Sequence, residues 1–150
     1  MTREDYKTHI TSFLPTAVYD ETGEWLNVNI EANEWRPLAL SLRNGVLNLD
    51  YLFCVTCVDW KTHFTMVYHL SSTIHRETIV VKAKLDREKP EIQTVSDIWK
   101  TAEFHEREVF DLFGVIFLHH SDLRRLILTD DFVGYPLRKD FEDPVNMIRL

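Results

Sequence analysis

The chain has 150 residues, of which 45% are hydrophobic and 12% aromatic, so it is long enough for one domain with a buried core and is not expected to be disordered. Its formal net charge of −7, from 17 Lys and Arg against 24 Asp and Glu, argues against a nucleic-acid partner, because such proteins bind phosphates through basic patches. Apolar runs such as Phe113 to Leu118 are far shorter than the roughly 20 residues of a spanning helix, so any membrane association should be indirect.

The N-terminal third shows weak patterns for a hairpin and one helix. It lacks the basic region and apolar stretch of a signal peptide, so export is not expected. Residues 17–20 and 25–30 flank the turn former DETG, and the second segment alternates polar and apolar side chains, which predicts a β-hairpin. Residues 34–42 place apolar side chains at helical spacing, with Pro37 in the first turn and Asn-Gly at the end, so we predict a helix there.

The central third predicts three strands, over residues 51–59, 64–70 and 77–85. The short sequence WKTH between the first two makes them an antiparallel pair. Cys54 and Cys57 form a C-x-x-C in the first strand, which raises a metal or redox hypothesis. At an odd separation on a strand the two thiols point to opposite faces, and no second pair exists to complete a four-ligand site. We therefore interpret both cysteines as packing residues.

The clearest helix is predicted from Ser96, as its N-cap, to Phe113, with Gly114 at its end. At 100° per residue its apolar side chains share one face, and Glu106 falls in the middle of that face. Glu103, Arg107 and Asp111 fall on the opposite side, where we expect a ladder of surface ion pairs. Phe104 also lies on the polar side and is a candidate docking residue.

A buried Glu106 must meet a cation or several hydrogen-bond donors, or else hold a proton. The nearest basic candidates are Arg124, Arg125, Arg138 and Lys139. The alternative is a catalytic carboxylate with a raised pKa. We favour the ion-paired core acid, because no nucleophile or second carboxylate shares its arc of the helix.

Residues 114–150 are too irregular to fold on themselves and too apolar to stay in water, which indicates a docking arm. Its start, 115–118, could add a strand. The basic pairs Arg124-Arg125 and Arg138-Lys139 could bind an anion, but flanking acids favour salt bridges at an interface. The turn Gly134-Tyr135-Pro136 and three aromatic residues supply candidate interface anchors, namely Phe132, Tyr135 and Phe141.

His119, His120 and Asp122 gather two imidazoles and a carboxylate, so they carry a metal hypothesis. Neighbouring ligands rarely converge on one ion unless the backbone turns sharply, and a further ligand such as Asp140 would be needed. Surface or capping residues are the favoured interpretation. No nucleotide-binding motif occurs in the chain.

Together the elements predict an α+β fold, with a mixed, largely antiparallel sheet packed with two main helices and an irregular C-terminal docking arm. We expect an α+β domain over residues 1–113 and an extended arm over residues 114–150 that docks on a partner protein.

Three consecutive motifs carry a family resemblance: EREVFDLFGVIF, SDLRRLILTDDF and GYPLRKDF, in that order. The segment resembles the C-type, or 30-kDa-type, subunit of the proton-pumping NADH:quinone oxidoreductase, respiratory complex I. Upstream, YLFCVTCVDWKTHFTMVYHLS is similar to the central hairpin of that family. This chain departs from the family where it has His120-Ser121 in place of His-Pro, and Gly134-Tyr135-Pro136 in place of Gly-His-Pro.

The resemblance implies a noncatalytic subunit of the peripheral arm, on the cytoplasmic side of the cell inner membrane, lying against the D-type subunit near the site of quinone reduction. NADH, flavin, iron–sulfur clusters and quinone would belong to the assembly, and none would be bound by this chain. The positions that match family motifs, as candidates for partner docking, are Glu106, Arg107, Glu108, Asp111, Gly114, Asp122, Leu123, Arg124, Arg125, Gly134, Pro136, Leu137, Arg138, Lys139, Asp140 and Phe141.

Two alternatives stay open. The equivalent subunit of a membrane-bound hydrogenase shares the same module. A free-standing metal-dependent hydrolase using His119, His120 and Asp122 belongs to a different class of protein, and stoichiometric metal in the purified protein would favour it.

Overall fold

A computed structural model of the chain describes residues 1–147, so the last three residues of the predicted arm lie outside the described residues. Three α-helices, one short 3-10 helix and seven strands alternate along this part of the chain. In order they are α1 (Arg3–Phe13), β1 (Val18–Asp20), β2 (Leu26–Glu31), the 3-10 helix (Ala32–Glu34), α2 (Trp35–Asn44), β3 (Tyr51–Asp59), β4 (His63–Ser71), β5 (Thr78–Asp86), β6 (Glu91–Gln93), α3 (Ala102–Phe113) and β7 (Ile116–Leu118).

Five strands form the main sheet, in the order β1-β2-β5-β4-β3. In this sheet β2 and β5 are parallel neighbours, and the other three pairings are antiparallel. The two remaining strands, β6 and β7, form a small parallel sheet. The α+β fold with a mixed, largely antiparallel sheet is therefore confirmed, with a third helix, α1, that the sequence analysis did not predict.

The strands alternate buried and less buried side chains, so one face of the main sheet is turned to the core. Buried residues of α2 and α3 pack on that core. Trp35 is fully buried at its centre. Its ring lies 4.3 Å from that of Tyr68 on β4 and 6.2 Å from that of Trp99, which precedes α3. These contacts fix α2 and the start of α3 against the sheet.

The predicted hairpin, the helix beginning near residue 34 and the three central strands all form within one or two residues of their expected limits. The start of the long helix was wrong: α3 begins at Ala102, with Thr101 as its N-cap, and not after Ser96. Residues 96–101 form turns because their side chains bond elsewhere. Trp99 Nε1 donates to the Leu49 carbonyl at 2.9 Å, and Thr101 Oγ1 donates to the Leu52 carbonyl at 2.7 Å.

None of the helices in residues 1–147 combines the length and the apolar composition that a membrane span requires.

Candidate functional site

The C-terminal end of α3 and the arm that follows it form one packed unit. Gly114 ends the helix with φ +77°, and its N–H donates to the Phe110 carbonyl at 2.9 Å. A Cβ on this residue would lie 2.6 Å from the Tyr135 ring and 2.8 Å from the Arg138 guanidinium. The position therefore requires glycine both for its conformation and for the close return of the arm.

Asp111 on α3 is the first anchor of the arm. Its carboxylate is fully buried, and Oδ2 accepts hydrogen bonds from the backbone N–H groups of Leu126 at 3.2 Å, Ile127 at 2.7 Å and Leu128 at 2.9 Å. Oδ1 pairs with Arg125 at 3.1 Å. Burial alone would raise the pKa of Asp111, but these donors outweigh it and hold the pKa below its ordinary value.

Asp59 at the end of β3 is the second anchor. This buried carboxylate accepts the N–H of Lys139 at 2.8 Å and that of Lys61 at 2.7 Å, and it pairs with Arg87. Arg87 also reaches Asp140, at 3.0 Å. Although burial opposes ionisation, the Lys139 N–H and the Arg87 guanidinium hold the pKa of Asp59 below its ordinary value.

Two arginines of the predicted interface pairs bond within the chain. Arg125 donates to the Gly134 carbonyl at 3.1 Å and lies 5.4 Å from the Tyr135 ring centre. Arg138 donates from Nε to the Phe113 carbonyl at 2.6 Å and stacks 4.8 Å from the same ring. Tyr135 thus lies between two guanidinium groups, in a cation–π arrangement that closes the arm onto the end of α3.

The aromatic residues proposed as interface anchors pack within the arm. Phe132 and Phe141 stack with ring centres 6.1 Å apart, and a Cβ on Gly134 would come 3.1 Å from the Phe141 ring. Four aliphatic side chains of the arm are exposed: Leu126, Ile127, Val133 and Leu137 are 40%, 62%, 88% and 52% exposed. We call these four side chains the aliphatic strip.

Two polar residues of α3 are buried where a surface ladder was predicted, so that prediction was wrong for them. Asp111 is fully buried, and Arg107 is 5% exposed. Arg107 donates to the carbonyls of Arg124 at 3.2 Å and Arg125 at 3.1 Å. The arm crosses α3 at Arg107 and Asp111 and covers these two side chains, which the periodicity of the helix alone cannot indicate.

Glu106 is fully buried, as its position on the core face predicted, but none of the four basic residues proposed for it is its partner. Its donors are the Thr94 hydroxyl at 2.5 Å and the Val95 N–H at 2.9 Å. Burial raises the pKa of Glu106 to about 7, and these two donors act in the opposite direction.

The histidine cluster does not converge on a metal. His120 Nε2 bonds to the Glu103 carbonyl at 3.1 Å, and Nδ1 accepts the N–H of Asp122 at 3.0 Å, so both ring nitrogens are engaged. The favoured interpretation was surface or capping residues: the His120 side chain is fully buried and its Nδ1 caps the Asp122 N–H, whereas His119 is exposed. In the part of the chain that the structure describes, no three His, Cys, Asp or Glu residues are placed to hold a metal ion.

The two cysteines are free thiols: Cys54 is half-buried and Cys57 is buried, which agrees with their predicted packing role. Burial raises the pKa of Cys57 to about 12, so its thiol stays protonated.

The remaining candidate residues lie around the arm. Glu108 is exposed on α3, and Leu123 packs against the core. Asp122 pairs with Arg124 at 2.9 Å. Pro136 is half-buried in a turn, and the Lys139 ammonium lies 6.0 Å from the Trp60 ring centre.

Comparison with known proteins gives a consistent family. The family model described as respiratory-chain NADH dehydrogenase, 30 Kd subunit, matches residues 28–145. The C/D subunit of the NADH-quinone oxidoreductase of Phocaeicola vulgatus is 48% identical over 125 residues, which cover 82% of this chain and 24% of that protein. The chain thus spans about a quarter of the length of this curated relative.

Other relatives are named as C subunits alone, and not as C/D subunits. The C subunit of the NADH-quinone oxidoreductase of Chloroherpeton thalassium is 38% identical over 117 residues, covering 76% of this chain and 48% of that protein. The C subunit of the F(420)H(2) dehydrogenase of Methanosarcina mazei is 40% identical over 101 residues, covering 65% of this chain and 64% of that protein.

Two solved structures share the fold. A trypsin-resistant fragment of Nqo5 superposes with a TM-score of 0.73 at 25% identity, over 82% of this chain and 100% of that one. A chain of the membrane-bound sulfane sulfur reductase, an archaeal respiratory membrane complex, gives 0.71 at 28% identity, over 93% and 85%.

Proposed function

Since the chain belongs to the family of the 30 Kd subunit of respiratory-chain NADH dehydrogenase, we propose that it is a noncatalytic structural subunit of the peripheral arm of a proton-translocating NADH:quinone oxidoreductase. Its C-terminal arm docks on the D-type subunit that forms the quinone site. NADH, flavin, iron–sulfur clusters and quinone are bound by other members of the assembly. The chain is held at the cytoplasmic side of the inner membrane through those members.

The observation that carries this proposal is the two-sided arrangement of the arm. On its inner side, Asp111 and Asp59 bind backbone N–H groups of the arm, so the main chain is already ordered. On its outer side the aliphatic strip is exposed. A surface that is ordered before binding loses less conformational entropy when a partner covers it, and exposed aliphatic clusters are typical of interfaces.

Relatives that are named as C/D subunits support the D-type subunit as the partner. The Phocaeicola vulgatus protein is named as a C/D subunit, which indicates a C-type and a D-type module in one polypeptide. Fusion favours two modules that stay in contact, because the linked partner is present at high effective concentration.

A second candidate keeps the structural role and changes the electron donor or acceptor of the complex. The relative from Methanosarcina mazei is named as part of an F(420)H(2) dehydrogenase, and a similar chain occurs in the sulfane sulfur reductase complex. The equivalent subunit of a membrane-bound hydrogenase belongs to the same group of alternatives. The genes that neighbour this one would distinguish the donors.

Affinity purification from solubilised membranes tests the docking proposal. The tagged full chain should co-purify with a D-type subunit, and Ile127→Asp should abolish that recovery because it places a charge in the apolar contact. Ile74→Asp is the matched control, since Ile74 is 69% exposed, against 62% for Ile127, and lies outside the arm. Equal recovery of the D-type subunit with both variants would contradict the proposal.

A further inference from the structure

Beneath the arm, Glu106 lies in a buried polar cluster that the docking proposal does not use. Its carboxylate joins α3 to the ends of both strands of the small sheet. The Thr94 hydroxyl and the Val95 N–H, which follow β6, donate to it at 2.5 and 2.9 Å. His120, which follows β7, places Nε2 3.8 Å from the Oε2 atom of Glu106. The side chains of His120 and Glu106 are both fully buried.

The hydrogen bonds of His120 fix its tautomer. A carbonyl can only accept, so Nε2 carries a hydrogen and donates to Glu103. The N–H of Asp122 donates to Nδ1, which must therefore lack a hydrogen. Both ring nitrogens of His120 are therefore occupied by hydrogen bonds within the chain.

A line of hydroxyl groups leads from Glu106 toward the surface. Thr94 Oγ1 lies 2.8 Å from Ser96 Oγ, and either oxygen can donate. Ser96 is half-buried and lines an open cavity of about 330 Å³, together with Arg36, Asp97, Glu103, His119 and Ser121. When Glu106 is ionised, Thr94 donates to it and Ser96 donates to Thr94. When Glu106 is protonated, both hydroxyls reverse and no bond is lost.

We propose that Glu106 is a proton-binding site, filled and emptied from this cavity through the hydroxyls of Thr94 and Ser96. The site holds one exchangeable proton on α3, the helix that precedes the arm. This inference is independent of the docking proposal, because it concerns contacts within the chain alone.

The charges around Glu106 leave its own charge without a full counterion. Arg36 of α2 faces the site, but it forms a bidentate pair with Asp97, at 2.8 and 2.7 Å. Tyr68 of β4 is buried beside the site and its pKa is raised by burial and by Glu106, so it stays neutral. Burial accordingly raises the pKa of Glu106 to about 7, in the range where the proton exchanges near neutral pH.

Carbon NMR of the full chain, labelled at the glutamate side-chain carboxyl, tests the inference. One resonance, assigned by its absence in Glu106→Gln, should titrate with a midpoint near neutral pH. Thr94→Val should raise that midpoint by about one to two pH units, because the ionised form loses a charged hydrogen bond. Ser96→Ala should slow proton exchange and broaden the resonance near the midpoint. Glu108→Gln, an exposed change on the same helix, should alter neither property.

A Glu106 resonance that does not titrate between about pH 5 and 9 would overturn the proposal, whatever the variants do. A Thr94→Val chain that folds, as judged by circular dichroism, and keeps the wild-type midpoint would also overturn it. If Thr94→Val does not fold, Thr94→Ser retains the hydroxyl and should reproduce the wild-type titration; a changed midpoint there would count against the proposed path.

Discussion

The Oδ2 atom of Asp111 lies 2.7 Å from the backbone nitrogen of Ile127, and the same oxygen accepts hydrogen bonds from the residues on either side of it. One side chain of α3 therefore orders three consecutive residues of the arm. This relationship makes the attachment of the arm testable.

Asp111→Asn should release the middle of the arm. The amide keeps the shape of the side chain but has no negative charge. In the wild type that charge pairs with Arg125 and strengthens the hydrogen bonds from three backbone N–H groups. We expect a loss of about 2 to 3 kcal/mol in the free energy of unfolding and faster tryptic cleavage after Arg124 or Arg125. Glu108→Gln is the control, because that carboxylate is exposed on the same helix. Equal cleavage rates would argue against Asp111 as the anchor.

Asp59→Asn should weaken the later attachment at Lys139. Its carboxylate is 1% exposed and holds Arg87 and two backbone N–H groups, so removal of the charge leaves the half-buried Arg87 guanidinium poorly compensated. We expect a loss of about 2 kcal/mol or more in urea unfolding. Asp140 also pairs with Arg87, but the Asp140 side chain is 71% exposed. Asp140→Asn should therefore change the free energy of unfolding by less than about 1 kcal/mol. The reverse order would show that the surface pair is the stronger attachment.

Gly114→Ala should be poorly tolerated. The residue has φ +77°, and the new Cβ would lie 2.6 Å from the Tyr135 ring. Left-handed backbone alone costs about 1 to 2 kcal/mol for a residue with a Cβ, and displacement of Tyr135 adds to that. Gly23→Ala is the control, because the nearest atom to its Cβ would be 3.9 Å away. Similar melting temperatures for the two variants would be inconsistent with the packing of Tyr135 on Gly114.

Glu106→Gln should change how stability depends on pH. A carboxyl whose pKa is raised by folding contributes stability that is fully present below its unfolded value of 4.5 and is lost as pH rises through about 7. The variant cannot ionise, and its amide can still bond to Thr94 and Val95. It should therefore become more stable than the wild type by up to roughly 3 kcal/mol between pH 5 and 8. Urea unfolding at several pH values measures the difference, which should be absent for Glu108→Gln.

Acid should have the opposite effect on the arm. Folding lowers the pKa of Asp111, so its contribution is present above the ordinary value near 3.8 and is lost as pH falls through the lower folded value. Tryptic digestion is not possible in acid, but hydrogen exchange is. The amides of Ile127 and Leu128 should lose protection below about pH 4 before the strands of the main sheet do. Simultaneous loss in both regions would mean that the arm and domain unfold together.

Local pattern predicted much of the fold, and the exceptions have physical causes. The hairpin, α2 and the central strands follow from side-chain periodicity and turn residues. The helix α1 has a capping box between Thr2 and Asp5, but only Tyr6 and Ile10 are buried, so its apolar periodicity is weak. The parallel pairing of β2 with β5 joins segments distant in sequence, and no local pattern indicates such a contact.

The candidate site was predicted in outline and not in its contacts. The motifs cover the segment in which these contacts occur, and the core position of Glu106 was correct. Its partners were not, because Thr94 and Val95 lie before the helix, and the small sheet brings them to it. Arg107 and Asp111 have the spacing of surface residues on a single helix. They are buried because the arm folds back across them, which is a tertiary contact.

Since Asp111 binds residues 126–128 through their amide hydrogens and not through their side chains, this attachment does not depend on which residues stand there, with proline as the exception because it has no N–H. The exposed side chains of residues 126–128 can therefore change during evolution while the hydrogen bonds to Asp111 are kept. Adaptation to a different partner protein would then require substitutions only at the side chains that face that partner.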